Sequence, residues 1–188
     1  MNGMLSTYDQ LAWGAKVSAE FRDRVFAIAR DLRVDPNYLM AAMAWESAET
    51  FRPDIKNMAG SGATGLIQFM PSTAKGLGTT TAKLARMTAV EQLGYVHAYF
   101  VPARGLLHTL SDVYMAILWP KAIGKAESYV LWDAKSRPTT YRQNRGLDVN
   151  KDGYITKAEA AGKVHQKLVK GMSGGRLWRS PASPAPMV

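Results

Sequence analysis

Apolar residues recur at helical spacing near the start of the chain, and this pattern constrains the fold more than any other feature. Between residues 17 and 32 they fall three or four positions apart, with arginines between them, as on one face of a helix. Asp35 followed by Pro36 resembles an N-cap and a first helical residue, which predicts a second helix from Pro36 to about Ala48. The apolar positions of the first helix are Val17, Phe21, Val25, Ile28, Ala29 and Leu32.

Helix signals continue along the chain, whereas hairpin signals are absent and alternating runs are few. Thr88 with Glu91 forms a capping box, which predicts a helix over residues 89–100. We therefore expect an all-α or mainly α body. Further helices are expected from Pro71, from the segment TTTAKLARM and from Ser111 or Asp112.

Composition limits the classes of protein. The chain has 188 residues, 47% of them hydrophobic, a net charge of +9 and no cysteine. Disulfides and cysteine-ligated metals are thereby excluded. No apolar run approaches the roughly 20 residues of a membrane span, and no secretory signal is recognised at the N-terminus. The positive charge favours an anionic partner, and because the basic residues are scattered it also fits a generally cationic protein.

The composition divides the chain into three parts. Residues 1–140 are expected to form the main domain and residues 141–172 a separate segment packed on it. Residues 173–188 are rich in Gly, Ser and Pro, and we expect a disordered tail.

Residues 148–159, DVNKDGYITKAE, match the calcium-binding loop of an EF-hand at every position. Gly153 takes the sixth position and Ile155 the apolar eighth. We expect one bound calcium ion that pins the C-terminal segment to the body. A regulatory site and a solvated acidic turn are the alternatives, and sensors usually pair two loops. The predicted ligands are Asp148, Asn150, Asp152, Tyr154 through its carbonyl, Thr156 and Glu159.

The segment GSGATG, residues 60–65, spells the dinucleotide-binding pattern GxGxxG. That pattern needs a buried strand before it and a helix after it. The preceding residues FRPDIKNMA contain Pro53, Asp54 and Asn57 and form no such strand. The nucleotide interpretation is therefore disfavoured.

Glu46 continues the apolar stripe of the second helix, because Leu39, Met43 and Glu46 stand at i, i+4 and i+7. A carboxyl group in that position is expected to be partly desolvated, which raises its pKa. A general acid that works near neutral pH needs such a pKa. The alternative is a glutamate at the helix end whose side chain simply reaches water.

An ordered set of residues from 36 to 75 is similar to the soluble lytic transglycosylases and goose-type lysozymes of glycoside hydrolase family 23. With the calcium loop, it also resembles phage-type peptidoglycan-degrading enzymes, including endolysins. The matching residues are Glu46-Ser47, Phe51-x-Pro53, Asn57, Gly62-Ala63-x-Gly65-Leu66-x-Gln68-x-Met70-Pro71 and Thr73-Ala74.

The resemblance implies a lysozyme-like helical fold in which Glu46 is the only general acid/base. It also implies that the glycines bring the backbone close to a bound glycan. The residues it places at the substrate are Ser47, Asn57, Gln68 and Met70, with Tyr141 from a late tyrosine motif.

Two departures from the family pattern affect the site. Glu49-Thr50 adds two residues before Phe51, which changes the loop beside Glu46. The family's AYNAG motif is missing, and MAILWP stands about where it is expected. Tyr114 or Trp119 is a candidate substitute for the missing tyrosine, and each is equally a core candidate.

The resemblance implies cleavage of the β-1,4 bond between N-acetylmuramic acid and N-acetylglucosamine in peptidoglycan glycan strands. Attack by the muramic 6-hydroxyl gives a 1,6-anhydro sugar, whereas attack by water gives hydrolysis. An inverting hydrolase needs a second carboxylate, for which Glu49, Asp54 and Asp112 are open candidates.

We expect a monomer that acts on the cell wall in the periplasm and causes lysis, released from the host cytoplasm or carried on a phage particle. A non-catalytic wall-binding or virion protein with the same fold is the alternative function. A nucleic-acid partner is disfavoured because no DNA- or RNA-binding motif is present.

Overall fold

The computed structural model describes residues 8–57 and 60–181. Within them lie eight α-helices and four short strands, so the expected mainly helical fold is confirmed. The helices are α1 Ala19–Leu32, α2 Pro36–Glu46, α3 Pro71–Gly76, α4 Thr81–Leu84, α5 Ala89–Phe100, α6 Leu110–Leu118, α7 Pro138–Asn144 and α8 Lys157–Gly171. The strands are β1 Gln10–Leu11, β2 Val130–Asp133, β3 Tyr154–Thr156 and β4 Trp178–Arg179.

Helix α2 lies at the centre of the core. Six consecutive residues, from Leu39 to Ala44, are buried, so this helix has no solvent face along its middle. It packs against α1, α6 and α8, and α1 in turn packs against α5. The central position of α2 carries Glu46, its last residue, to the edge of the core.

Side-chain caps set the helix starts. Ser18 caps α1, Asp35 caps α2, and the capping box of Thr88 and Glu91 at α5 is present as expected. The start of α6 was predicted at Ser111 or Asp112. Thr109 instead caps it and Asp112 completes the capping box, so α6 begins at Leu110.

The expectation of a disordered tail is wrong for residues 173–181. Here β4 pairs antiparallel with β1, which joins the two ends of the described chain. The ring of Trp178 packs against the ring of Phe26, and the Arg22 guanidinium lies over the Trp178 ring. Aromatic packing and a cation–π contact thus order a segment whose composition alone favoured disorder. Residues 182–188 lie outside the described part.

The boundary predicted at residues 140 and 141 falls inside α7, the helix that comes before the loop of residues 148–159. Strand β3, inside that loop, pairs antiparallel with β2 of the preceding part of the chain. The C-terminal segment therefore shares a sheet with residues before its expected boundary.

Helix α8 is fixed to the body by a buried ion pair. Lys157 Nζ lies 2.6 Å from Asp112 Oδ1, and the two side chains are 2% and 3% exposed. The same ammonium group donates to the Lys125 carbonyl, and the Gly124 amide donates to Asp112 Oδ1. In the described residues, every helix is too short or too polar to traverse a lipid bilayer.

Candidate active site

An open groove of about 650 Å³ runs past the C-terminal end of α2. The end of α2 and the face of α6 form one side, and the loop before α3 forms the other. Glu46 lies in this groove, as the apolar stripe predicted. The groove is lined by Trp45, Glu46, Ala48, Ile55, Lys56, Asn57, Ser61, Ala63, Gln68, Met70, Tyr114, Ile117 and Leu118.

The Glu46 carboxyl group is half-buried without a charged partner. Burial raises its pKa from 4.5 to about 7, and desolvation is the only cause. Among the described residues no hydrogen bond or ion pair holds this carboxyl group. It is therefore protonated in a large fraction of molecules at neutral pH, as a general acid requires.

Tyr114 of α6 stands beside Glu46 in the groove and is 5% exposed. Its hydroxyl group accepts a hydrogen bond from Trp45 Nε1 at 3.2 Å. Burial, and then the negative charge of Glu46, raise the pKa of Tyr114, so its phenol remains a proton donor. Of the two aromatic candidates it is the one in the groove. Trp119 packs edge-on against Trp132 instead.

Ser47 has a structural position and does not reach the groove. Its side chain is fully buried, its hydroxyl group donates to the Met43 carbonyl at 2.6 Å, and it accepts from the Phe51 amide at 3.0 Å. These bonds hold a turn in which Ala48, Glu49 and Phe51 all have positive φ. The prediction that Ser47 contacts substrate is therefore corrected: it positions the chain directly after Glu46.

Three further residues of the family motif, Asn57, Gln68 and Met70, line the groove, and their contact with substrate stays a prediction. Asn57 and Met70 are exposed on the groove wall. Gln68 has a positive φ, and its side-chain Nε2 donates hydrogen bonds to the backbone carbonyls of Ile55 and Gly65. The Gln68 side chain thus stabilises the loop and also lines the groove.

Gly65 has a different purpose from the one predicted. A Cβ at this position would collide with the side-chain amide of Gln92, and its φ is +89°. Gln92 is fully buried and bonds the Leu66 amide and the carbonyls of Pro53 and Leu84. The glycine therefore lets the loop close onto Gln92, which had no signal in the sequence.

The candidate second carboxylates are all engaged elsewhere. Glu49 pairs with Lys167 and Lys170 of α8, Asp54 pairs with Arg52, and Asp112 is buried against Lys157. Glu46 is accordingly the only carboxylate among the described groove-lining residues.

Tyr141 lies away from the groove, beside the loop of residues 148–159. Its hydroxyl group donates to Asp148 Oδ2 at 2.6 Å, and it lines a separate cavity with that residue. Its prediction as a substrate contact is corrected. The late tyrosine motif is short, and spacing alone did not distinguish a groove residue from one that supports the loop.

The backbone of this loop suits the EF-hand pattern in part. Gly153 at its sixth position has a φ of +87°, and Thr156 with Glu159 forms the capping box of α8. Asp148 is buried, and no described residue donates a hydrogen bond to its Oδ1. That orphaned oxygen fits a cation ligand.

The other oxygen ligands of the loop are held by local hydrogen bonds. Asp152 accepts from the Tyr154 amide and from the Asn150 side chain, and Glu159 accepts from the amides of Val149 and Thr156. Within the described ranges, no three carboxylate or imidazole side chains converge into a metal cluster. The residue types therefore fit calcium, and ion binding would have to draw Asp152 and Glu159 from these bonds.

The described residues thus form a mainly helical domain, and its open groove holds one carboxyl group that has no charged partner. Residues 23–92, which run from α1 into α5, match the family model described as the transglycosylase SLT domain. Members of that domain family are lytic transglycosylases that cleave peptidoglycan, and the matched residues, which include Glu46, are similar to them. No curated protein matches the chain.

Proposed function

We propose that the chain is a peptidoglycan lytic transglycosylase that uses Glu46 as its single acid and base. Its target is the β-1,4 bond between N-acetylmuramic acid and N-acetylglucosamine, and its product carries a 1,6-anhydro ring. Its site of action is the bacterial cell wall, where such cleavage leads to lysis. The proposal rests on one observation: Glu46 is the only carboxylate among the described groove residues. Its burial, which raises its pKa to about 7, supports the same role.

A single carboxyl group of this kind is suited to both proton transfers. Protonated Glu46 donates to the leaving glycosidic oxygen as positive charge develops at the muramic ring. The carboxylate so formed then removes a proton from the 6-hydroxyl group of the same sugar, whose oxygen bonds to C1. The proton returns to Glu46 and no water is consumed, so a second carboxylate is unnecessary.

The surrounding residues supply position and polarity. The Tyr114 hydroxyl group, oriented by Trp45, is a donor beside Glu46 that can hydrogen-bond the carboxylate after its proton leaves. Ser47 and Gln68 hold the turns on either side of the groove. Ile117, Leu118 and Met70 give apolar surface against which sugar rings can pack.

Replacing the acid tests the catalytic proposal. Glu46→Gln should lower the release of soluble fragments from purified peptidoglycan by roughly 10²–10⁴-fold, the usual contribution of a general acid. Asp54→Asn is the matched control, because Asp54 is exposed and paired with Arg52 outside the groove lining. It should retain wild-type activity. If Glu46→Gln clears peptidoglycan as fast as the wild type, the assignment of Glu46 is wrong. If the wild type itself releases no fragments, a non-catalytic wall-binding role is supported instead.

We also propose that residues 148–159 bind one calcium ion that stabilises the attachment of α8. Asp148, Asn150, Asp152, the Tyr154 carbonyl, Thr156 and Glu159 would supply its ligands. Two facts support this: the orphaned Asp148 oxygen, and the place of Thr156 and Glu159 at the start of α8, which would tie an ion that they bind directly to that helix. Pairing of β3 with β2 takes the place of a second EF-hand loop, which favours a structural over a sensing site.

Thermal unfolding with and without a chelator tests the calcium proposal. The Tm should rise with calcium concentration, since an ion at about 100 times its Kd stabilises by about 2.7 kcal/mol. Asp148→Asn should abolish that dependence. The control Asp23→Asn, which changes the same charge on α1, should leave it intact. A wild-type Tm that is the same in calcium and in chelator would contradict the proposal.

A further inference from the structure

A second cavity, of about 360 Å³, lies behind one wall of the groove. It is lined by Lys56, Gly62, Thr64, Thr81 and Arg86, together with two alanines of the α4 region. We call it the side cavity. Lys56 also lines the groove, so the two spaces share this residue.

The wall between the two spaces is a short extended segment. Ser61 and Ala63 line the groove, whereas Gly62 and Thr64 line the side cavity. This alternation is the period of an extended chain, and Thr64 forms an antiparallel bridge with Lys56. The partition is thus one strand thick, and Lys56, which lines both spaces, marks the place where they adjoin.

The side cavity is positively charged. Lys56 and Arg86 are both exposed, and no ion pair of either forms within the described part of the chain. The charge of Lys56 contributes to lowering the pKa of Asp54, so the two side chains are near each other. The Asp54 carboxylate, however, accepts hydrogen bonds from Arg52 Nε at 2.9 Å and Arg52 Nη2 at 2.7 Å. Two cationic side chains thus remain available for an anion.

We propose that the side cavity binds a carboxylate of the peptide that muramic acid carries on its lactyl group. This inference rests on the proposed function, because it assumes that a glycan strand occupies the groove. In a peptide-bearing strand the lactyl carboxyl group is neutral because it forms the amide bond to the peptide, so the carboxylates of the peptide supply the negative charge. A guanidinium group suits a carboxylate because it offers two parallel donors. Lys56 guides the substituent across the wall and Arg86 receives its carboxylate.

The test compares peptide-bearing glycan strands with the same strands after an amidase has removed the peptides. The amidase leaves one lactyl carboxylate close to each muramic ring, and this group lacks the length of the peptide needed to reach the side cavity. Both preparations are stripped of phosphate-containing wall polymers, so phosphate cannot supply the anion. Arg86→Glu is the main variant, because Arg86 lines the side cavity and not the groove. Lys83→Glu, an exposed charge reversal on the neighbouring helix outside both spaces, is the matched control.

Arg86→Glu should weaken binding and slow cleavage of peptide-bearing strands by about fivefold, as expected for an exposed charged contact. With denuded strands it should match the wild type and Lys83→Glu. Equal losses with both substrates, or no loss with peptide-bearing strands, would overturn the proposal. Binding is also measured in the Glu46→Gln background. A wild-type protein that discriminates the two substrates by binding but cleaves neither would refute the catalytic assignment while supporting the side cavity.

Discussion

Two regions of the molecule take a carboxyl group out of water and reach opposite results. At the groove, burial alone acts on Glu46 and raises its pKa to about 7. At the junction of α6 and α8, burial would likewise raise the pKa of Asp112. Lys157, the Gly124 amide and Thr109 oppose it and keep that pKa below its ordinary value. The partners of the carboxyl group, and not its burial, decide whether it is an acid or a structural tie.

The charged group in each region also differs in what it does for folding. Asp112 and Lys157 fix α8 to the body, so losing one partner leaves a buried charge. Glu46 has no stabilising partner among the described residues, so its ionised form opposes folding. The groove therefore carries a stability cost that a binding or catalytic role would explain.

The largest expected effect comes from breaking the junction. Lys157→Met should destabilise the protein by about 3–5 kcal/mol, because it leaves the Asp112 carboxylate buried and unpaired. Chemical denaturation at neutral pH measures this. The double variant Lys157→Met/Asp112→Asn should recover part of the loss. If Lys157→Met is as stable as the wild type, the ion pair of Lys157 and Asp112 does not stabilise the attachment of α8.

Replacing the groove carboxyl group should have the opposite sign. The folded pKa of Glu46 lies above its unfolded value, so folding binds a proton, and stability falls as pH rises from 4.5 towards 7. Glu46→Gln should therefore stabilise the fold at pH 8 by up to about 3 kcal/mol, and the gain should vanish near pH 4. Glu20→Gln, on the exposed side of α1, should change stability by less than about 0.5 kcal/mol. If Glu46→Gln is less stable than the wild type at pH 8, the Glu46 carboxylate must have a stabilising partner, which would contradict this account.

The smallest expected effect is on the pH profile. Because free enzyme must hold a proton on Glu46, kcat/KM should fall above pH 7 by about tenfold per pH unit. Rates on soluble glycan strands, at constant ionic strength, measure this limb. If kcat/KM instead stays constant from pH 6 to 9, Glu46 is not the general acid.

Local sequence patterns predicted the position of Glu46, but they did not predict contacts between residues that are distant in sequence. Helical spacing placed Glu46 on the stripe of Leu39 and Met43, both of which are buried. The capping box at Thr88 was equally local. Pairing of Lys157 with Asp112 joins residues far apart in sequence, and neither side chain carries a signal for it. For the same reason the fit of Gly65 onto Gln92 was missed.

The ordered residues 173–181 show the same limit. Their composition favoured disorder, but β4 is held by β1 and by the ring of Phe26, at the other end of the chain. The motif residues of the groove were found because a family pattern spans them. Tyr114 was left open because no local pattern distinguishes a groove tyrosine from a core tyrosine.

Mass spectrometry of the products formed in oxygen-18 water tests most directly whether Glu46 works alone. With no second carboxylate among the described groove residues to activate water, the wild type should release 1,6-anhydromuramic products. These are lighter by one water than reducing-end products and carry no oxygen-18, and Glu46→Gln should release neither. Reducing-end products that carry one oxygen-18 atom would contradict this, because they would show that water attacks the muramic carbon.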